Sequence, residues 1–266
     1  MVSVFLVVLT VAWKTLATAA IVISAGRLAA RAGPLLTSVL ITIPVNAGPG
    51  FFFISLEADE AFLSHGGLVA FSITGSVLMF SSGYIHGARF FSFLPSLLTA
   101  LVAWGIATYV TLLVEPSLVW AMVVNIDAVL FAWLLRRRLP PPTRARPMPA
   151  AWRYTIIRGG LAGLVVAGVA TASPFLGPAW SGILLGFPTI MVASAWMLAG
   201  HYGQAFTAAT MQASQRTIIS YASFCLSLHL LAGPLPGTIA VLASFGIAIG
   251  CAFLLAIYIH YFSSRS

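Results

Sequence analysis

Apolar runs of about twenty residues follow one another along almost the whole 266-residue chain, separated by Gly/Pro clusters or single charges. A helix of that length crosses the ~30 Å hydrocarbon core of a bilayer. Breaking the chain at these clusters predicts spans over roughly 3–25, 35–56, 66–86, 93–114, 117–135, 154–173, 178–199, 211–231 and 237–260. Only one connection reads as a polar linker, Arg136-Arg137-Arg138-Leu139-Pro140-Pro141-Pro142 and on to Arg153. Its prolines cannot continue a helix. The predicted fold is therefore all-α and polytopic, with about nine transmembrane helices.

Composition turns this pattern from permitted to required. Hydrophobic residues make up 60% of the chain and charged residues only 7%, against about 25% charged in an ordinary soluble domain. So few charges cannot coat a globule in water. The net charge of +8 does not point to nucleic acid, because the basic residues are not gathered with aromatics on a polar face. Cys225 and Cys251 each lie in an apolar stretch with no CxxC partner, which argues against a disulfide or a metal pair. No basic segment precedes Val2–Leu9, and Lys14 interrupts the apolar run, so the first helix is expected to be retained rather than cleaved.

The charges also predict orientation. With the arginine-rich linker in the cytoplasm, Arg27, Arg31, Arg89, Arg136, Arg137, Arg138, Arg144, Arg146, Arg153 and Arg265 all fall on that side. Glu57, Asp59, Glu60 and Glu115 fall on the other, which carries no Lys or Arg. Short-loop Lys and Arg set membrane topology, so the N-terminus is expected outside and the C-terminus inside. The expected location is a bacterial cytoplasmic (inner) membrane.

The chain also resembles itself. Gly33-Pro34 before the second span recurs 144 residues on as Gly177-Pro178 before the seventh. The same offset relates Leu40 to Leu184, Pro44 to Pro188, Ala61-Phe62 to Ala205-Phe206, and the cations Lys14 and Arg158. The window 14–62 aligns with 158–206 without a gap. Since the second and seventh spans run in opposite directions, this predicts two inverted four-helix repeats. Residues 1–115 form the first repeat, 116–136 a linker helix, 137–153 a cytoplasmic basic loop and 154–266 the second repeat. Inverted repeats are how many secondary transporters build two interconvertible faces around a midplane site.

The stretch Leu184-Leu185-Gly186-Phe187-Pro188-Thr189, continuing through His201 to Arg216, Tyr221 and Leu228, resembles the small GlpM-like bacterial inner-membrane proteins. The resemblance covers about 80 residues of the second half and, more faintly, the first. There Pro44 is kept, but Val45-Asn46 stands for Thr189-Ile190 and Glu57 for His201. It implies a fused duplication of a small membrane unit and brings no reaction with it.

Pro44 and Pro188 each remove a backbone hydrogen bond within a span, and Gly48-Pro49-Gly50 adds a second interruption. Freed backbone at membrane depth is tolerated inside protein or beside water. The breaks are thus either packing kinks or the lining of a substrate site, which would include Asn46 and Thr189. Lys14, Arg158 and Arg216 are candidate contacts for an anionic solute, since membrane cations face the bundle interior or water; Arg158 can instead snorkel to the interface. Asp127 lies mid-span and is either a proton carrier or half of an internal ion pair. Glu57, Asp59 and Glu60 read as a solvated loop face; His65 is the only nearby donor for a metal, so no metal is expected.

No phosphate-binding glycine loop, HExxH or GxSxG is present, which argues against an ATP-driven pump but leaves a membrane-embedded lipid-modifying enzyme open. No catalytic residue is singled out, and no cofactor is expected. The leading expectation is a transporter or facilitator for a small polar or anionic solute, in contact with the lipid bilayer, binding no nucleic acid and open to homo-oligomerisation. The competing readings are a non-transporting accessory subunit of envelope or polysaccharide biosynthesis, and a membrane-embedded lipid-modifying enzyme using Glu60 or His65.

Overall fold

A computed structural model of the protein describes residues 2–31, 44–137, 152–215 and 218–263. Every regular element among them is a helix: α1 (Val2–Arg31), α2 (Ala47–Ile54), α3 (Glu60–Ser72), α4 (Thr74–Gly87), α5 (Phe93–Leu112), α6 (Leu118–Arg137), α7 (Trp152–Leu185), α8 (Thr189–Ser214), α9 (Ile218–Leu231) and α10 (Gly237–Ser263). Among the described residues, Glu60–Gly87, Phe93–Leu112, Leu118–Arg137, Gly159–Gly200 and Gly237–Tyr258 are long and apolar enough to cross a membrane, while Val8–Ser24 and Ile218–Leu231 are shorter apolar stretches. This is the make-up of a helical membrane protein.

Local chemistry sets the helix ends. Asp59 caps α3 by accepting the Phe62 N–H at 2.8 Å, and the Ser117 hydroxyl accepts the Trp120 N–H at the start of α6. Such side chains satisfy first-turn donors that have no partner within the helix. α7 is two helical pieces meeting at Gly177, whose φ of 75° and ψ of 173° lie in a region open to glycine. Pro178 follows at once and favours an extended residue before it. α8 bends in the same way at Gly203.

Several elements differ from the nine spans expected from sequence. The one over 178–199 is divided between α7, which ends at Leu185, and α8, which begins at Thr189, and among the described residues five helical segments are long and apolar enough to cross. The stretch between 199 and 211 is helical on both sides of Gly203, where two helical pieces of α8 meet at φ 79° and ψ 171°. The span expected over 66–86 begins at Glu60 and is interrupted at Ile73, since the Asp59 cap starts a helix that hydropathy alone places later. Gly33-Pro34, Leu40 and the arginine- and proline-rich linker over 138–151 lie outside the described residues.

α3 and α4 form the middle of the molecule and are almost wholly buried, whereas α5 and α6 pack on α4 from outside and are mostly exposed. α1 lies along α7, where Gly163 lets the backbones meet: a Cβ there would stand 2.5 Å from the Thr15 carbonyl oxygen. Gly67 does the same for α3 against α9, facing the Cys225 carbonyl and the His229 N–H. Close approach through small residues is the usual way membrane helices gain packing energy, because lipid removes the hydrophobic drive between them. Phe51, Ile54, Leu63, Phe224 and Leu228 fill the central core.

Candidate functional site

The two proline breaks meet across one cavity of about 350 Å3. On one side Pro44, Val45 and Asn46 lead into α2; on the other Gly186, Phe187 and Pro188 join α7 to α8. α4, the second half of α8, and the start of α9 complete the wall with Val77, Ser81, Thr210, Met211 and Tyr221. Glycines allow this convergence. A Cβ at Gly50 would run into Leu185, and one at Gly186 would lie 2.7 Å from Ile73 and 3.2 Å from the Tyr221 hydroxyl.

The backbone at each break is partly re-paired. Gly48 donates to the Pro44 carbonyl at 2.9 Å and Gly50 to Asn46 at 3.1 Å. Phe187 donates to Leu184 at 3.3 Å, Thr189 to Phe187 at 2.7 Å, and Val192 to Pro188 at 3.0 Å. Neither Asn46 before α2 nor Pro188 before α8 provides a side-chain cap. Two helix N-termini, each the positive end of a helix dipole, therefore border the same cavity. Asn46 Oδ1 and Thr189 Oγ1 are buried there with no hydrogen-bond partner among the described residues. The remaining wall is largely apolar, with Met191, Met197 and Met211, flexible side chains that adapt to irregular shapes.

Of the candidate residues, Pro44, Asn46 and Pro188 line the cavity, and Thr189 is the residue next to it. Lys14 does not line it. Its side chain is 1% exposed, its Nζ donates to Glu57 Oε1 at 2.8 Å, and the same nitrogen stands 6.0 Å from the Phe53 ring centre. Asp127, expected as a proton carrier or half of an internal ion pair, is exposed on the outer side of α6 and does not line the cavity. Arg158 belongs to α7, with its side chain outside the described residues, and Arg216 lies outside them altogether. The acidic cluster has structural work: Glu57 holds Lys14, Asp59 caps α3, and Glu60 accepts the Gly237 N–H at the start of α10. Among the described residues no group of His, Cys, Asp or Glu is arranged to hold a metal.

The wall residues that sequence reading missed are those of α4, α8 and α9. A signal for them exists: the 144-residue offset, carried past Phe62, relates lining Val77 to lining Tyr221. Compared with known proteins, the chain matches no family model, no curated protein and no solved structure.

Proposed function

We propose that the protein is a transporter or facilitator for a small polar solute, bound in the cavity between the Pro44 and Pro188 breaks. The observation that carries this reading is the pairing of the cavity's walls. Pro44 and Pro188, Asn46 and Ile190, Ala47 and Met191, and Val77 and Tyr221 all line it, and each pair is 144 residues apart. The same offset relates Thr74–Gly87 to Ile218–Leu231 and the first residues of α5 and α10, Phe93 and Gly237. This regularity supports two four-helix repeats, inverted across a nine-span fold with α6 as linker; the setting proposed for them is a bacterial cytoplasmic membrane. The GlpM-like resemblance of the second half fits the same duplication.

A site at the junction of two such units is the arrangement from which alternating access is built, with half-helix N-termini facing polar or anionic solute groups. The uncapped start of α8 supplies those donors at Ile190 and Met191, α2 adds only the Ala47 N–H because Gly48 is paired and Pro49 has none, and Asn46 Oδ1 supplies an acceptor. Arg216 follows lining Gln215 directly in the chain and is the cation we assign to an anionic group on the solute. Lys14, engaged by Glu57, holds α1 to the end of α2 in this scheme.

The test is solute counterflow in proteoliposomes across a panel of small polar and anionic solutes. Pro188→Ala, which restores a donor and lets α8 extend backward, is expected to cut flux by at least tenfold with the protein still folded. Wild-type flux in folded Pro188→Ala, or no flux of any solute by the wild-type protein, would reject the reading.

A further inference from the structure

Asn125 and Asp127 stand two residues apart on α6, which places them about 200° apart around a helix of 3.6 residues per turn. Asn125 faces inward, where its Nδ2 donates to the carbonyls of Phe71 and Ala121, each at 2.8 Å. Ala121 and Ala132 are buried on that same face. A Cβ on Gly75 of α4 would lie 2.6 Å from Ala128, so α6 sits hard against the bundle along this stripe. Asp127 consequently faces away from the protein. It is exposed, lies midway along the 20 residues of α6, and has no hydrogen bond or ion pair among the described residues. A carboxyl at that depth cannot be satisfied by lipid tails; such groups normally face protein or water.

Its neighbours on the outer face say what covers it. Val123, Leu130 and Leu134 are exposed and, with Asp127, fall four, three and four residues apart. This is the seam spacing of two parallel helices, in which one polar residue inside an otherwise apolar seam sets register. Two copies of this chain share one orientation in the membrane, so their α6 helices run parallel and equal residues sit at equal depth. Asp127 then meets its own counterpart. A carboxylic acid offers both an O–H donor and acceptor oxygens, so two carboxyls sharing a proton satisfy each other without a cation. Such a contact is isologous and closes as a two-fold dimer.

We propose that α6 is a dimerisation helix, joining two copies along Val123, Asp127, Leu130 and Leu134, with the two Asp127 carboxyls hydrogen-bonded at the centre. The interface uses a helix that contributes nothing to the cavity wall, so it leaves the proposed site free and stands whether or not transport is the function.

Oxidative cross-linking of the full chain in membranes tests this, using two differently tagged copies in a Cys251→Ser background; Cys225 is buried. Val123→Cys, Leu130→Cys and Leu134→Cys are expected to form disulfide-linked dimers carrying both tags, and Leu254→Cys on exposed α10 is not. Asp127→Leu combined with Leu130→Cys is expected to reduce the dimer about tenfold, whereas Asp127→Asn, which still donates and accepts, preserves most of it. Seam cysteines that cross-link no more than Leu254→Cys, cross-link only to another membrane protein, or are indifferent to Asp127→Leu would overturn the proposal.

Discussion

Lys14 on α1 and Asp127 on α6 are both ionisable side chains well inside apolar helices, and the fold treats them in opposite ways. Lys14 is enclosed between α1 and the end of α2, with Glu57 at 2.8 Å and an aromatic ring beside it. Asp127 projects outward from a helix whose apolar window is only 11% buried, against 89% for the α3–α4 segment. The contrast arises from what each helix packs against. α1 lies in a groove along α7, so a side chain on its inner face must find a partner within the chain. α6 is anchored on one stripe alone, by Asn125 and its alanines, so whatever stands opposite that stripe is left to the surroundings. A membrane charge thus identifies an internal tie in one place and an external contact in the other.

The comparison can be broken most forcefully at Glu57. Glu57→Gln leaves a buried ammonium without its counter-charge. Losing one partner of a fully buried pair costs 3–5 kcal/mol; with Glu57 itself half-exposed, about 2 kcal/mol is expected. Thermal unfolding of the purified protein in nanodiscs should show the loss, and adding Lys14→Met should recover most of it. A Glu57→Gln protein as stable as wild type would mean that the pair ties nothing. At the other site, Asn125→Leu removes the inward anchor of α6 and leaves the Phe71 carbonyl without that donor. A loss of about 1 kcal/mol is expected, read by the same melt and by faster hydrogen exchange in α6. The smallest effect belongs to Asp127→Asn, since Asp127 has no hydrogen bond or ion pair among the described residues. Monomer stability in detergent should change by less than about 0.5 kcal/mol, and a larger change would place Asp127 in an internal contact after all.

The two breaks that border the cavity were legible in the sequence, but most of its wall was not. A proline inside an apolar run removes a backbone donor, and the recurrence of Pro44 as Pro188 pointed to both breaks, although Pro49 and Pro174 stand within helices. Asn46 and Thr189 followed as their neighbours. Less legible was the partner of Lys14, because Glu57 reads as a loop acid and only the turn after Ile54 swings it back over α1. The contributions of Ser81, Thr210 and Tyr221 were hidden for a different reason: in helices apolar on all sides, periodicity does not tell which face turns inward.

By itself, the sequence determined that the chain is helical and built for a membrane, since apolar length and scarcity of charge are one-dimensional properties read against the bilayer's thickness. It also pointed to the interruptions at Pro44, Gly177 and Pro188, because Gly and Pro act through local backbone geometry, but not to the one at Ile73. Tertiary structure alone decided which interruptions meet, which charge is enclosed and which is left outside. Those outcomes depend on close approaches at Gly50, Gly75, Gly163 and Gly186, and the fit of one backbone against another is a property of pairs of helices that no single helix carries.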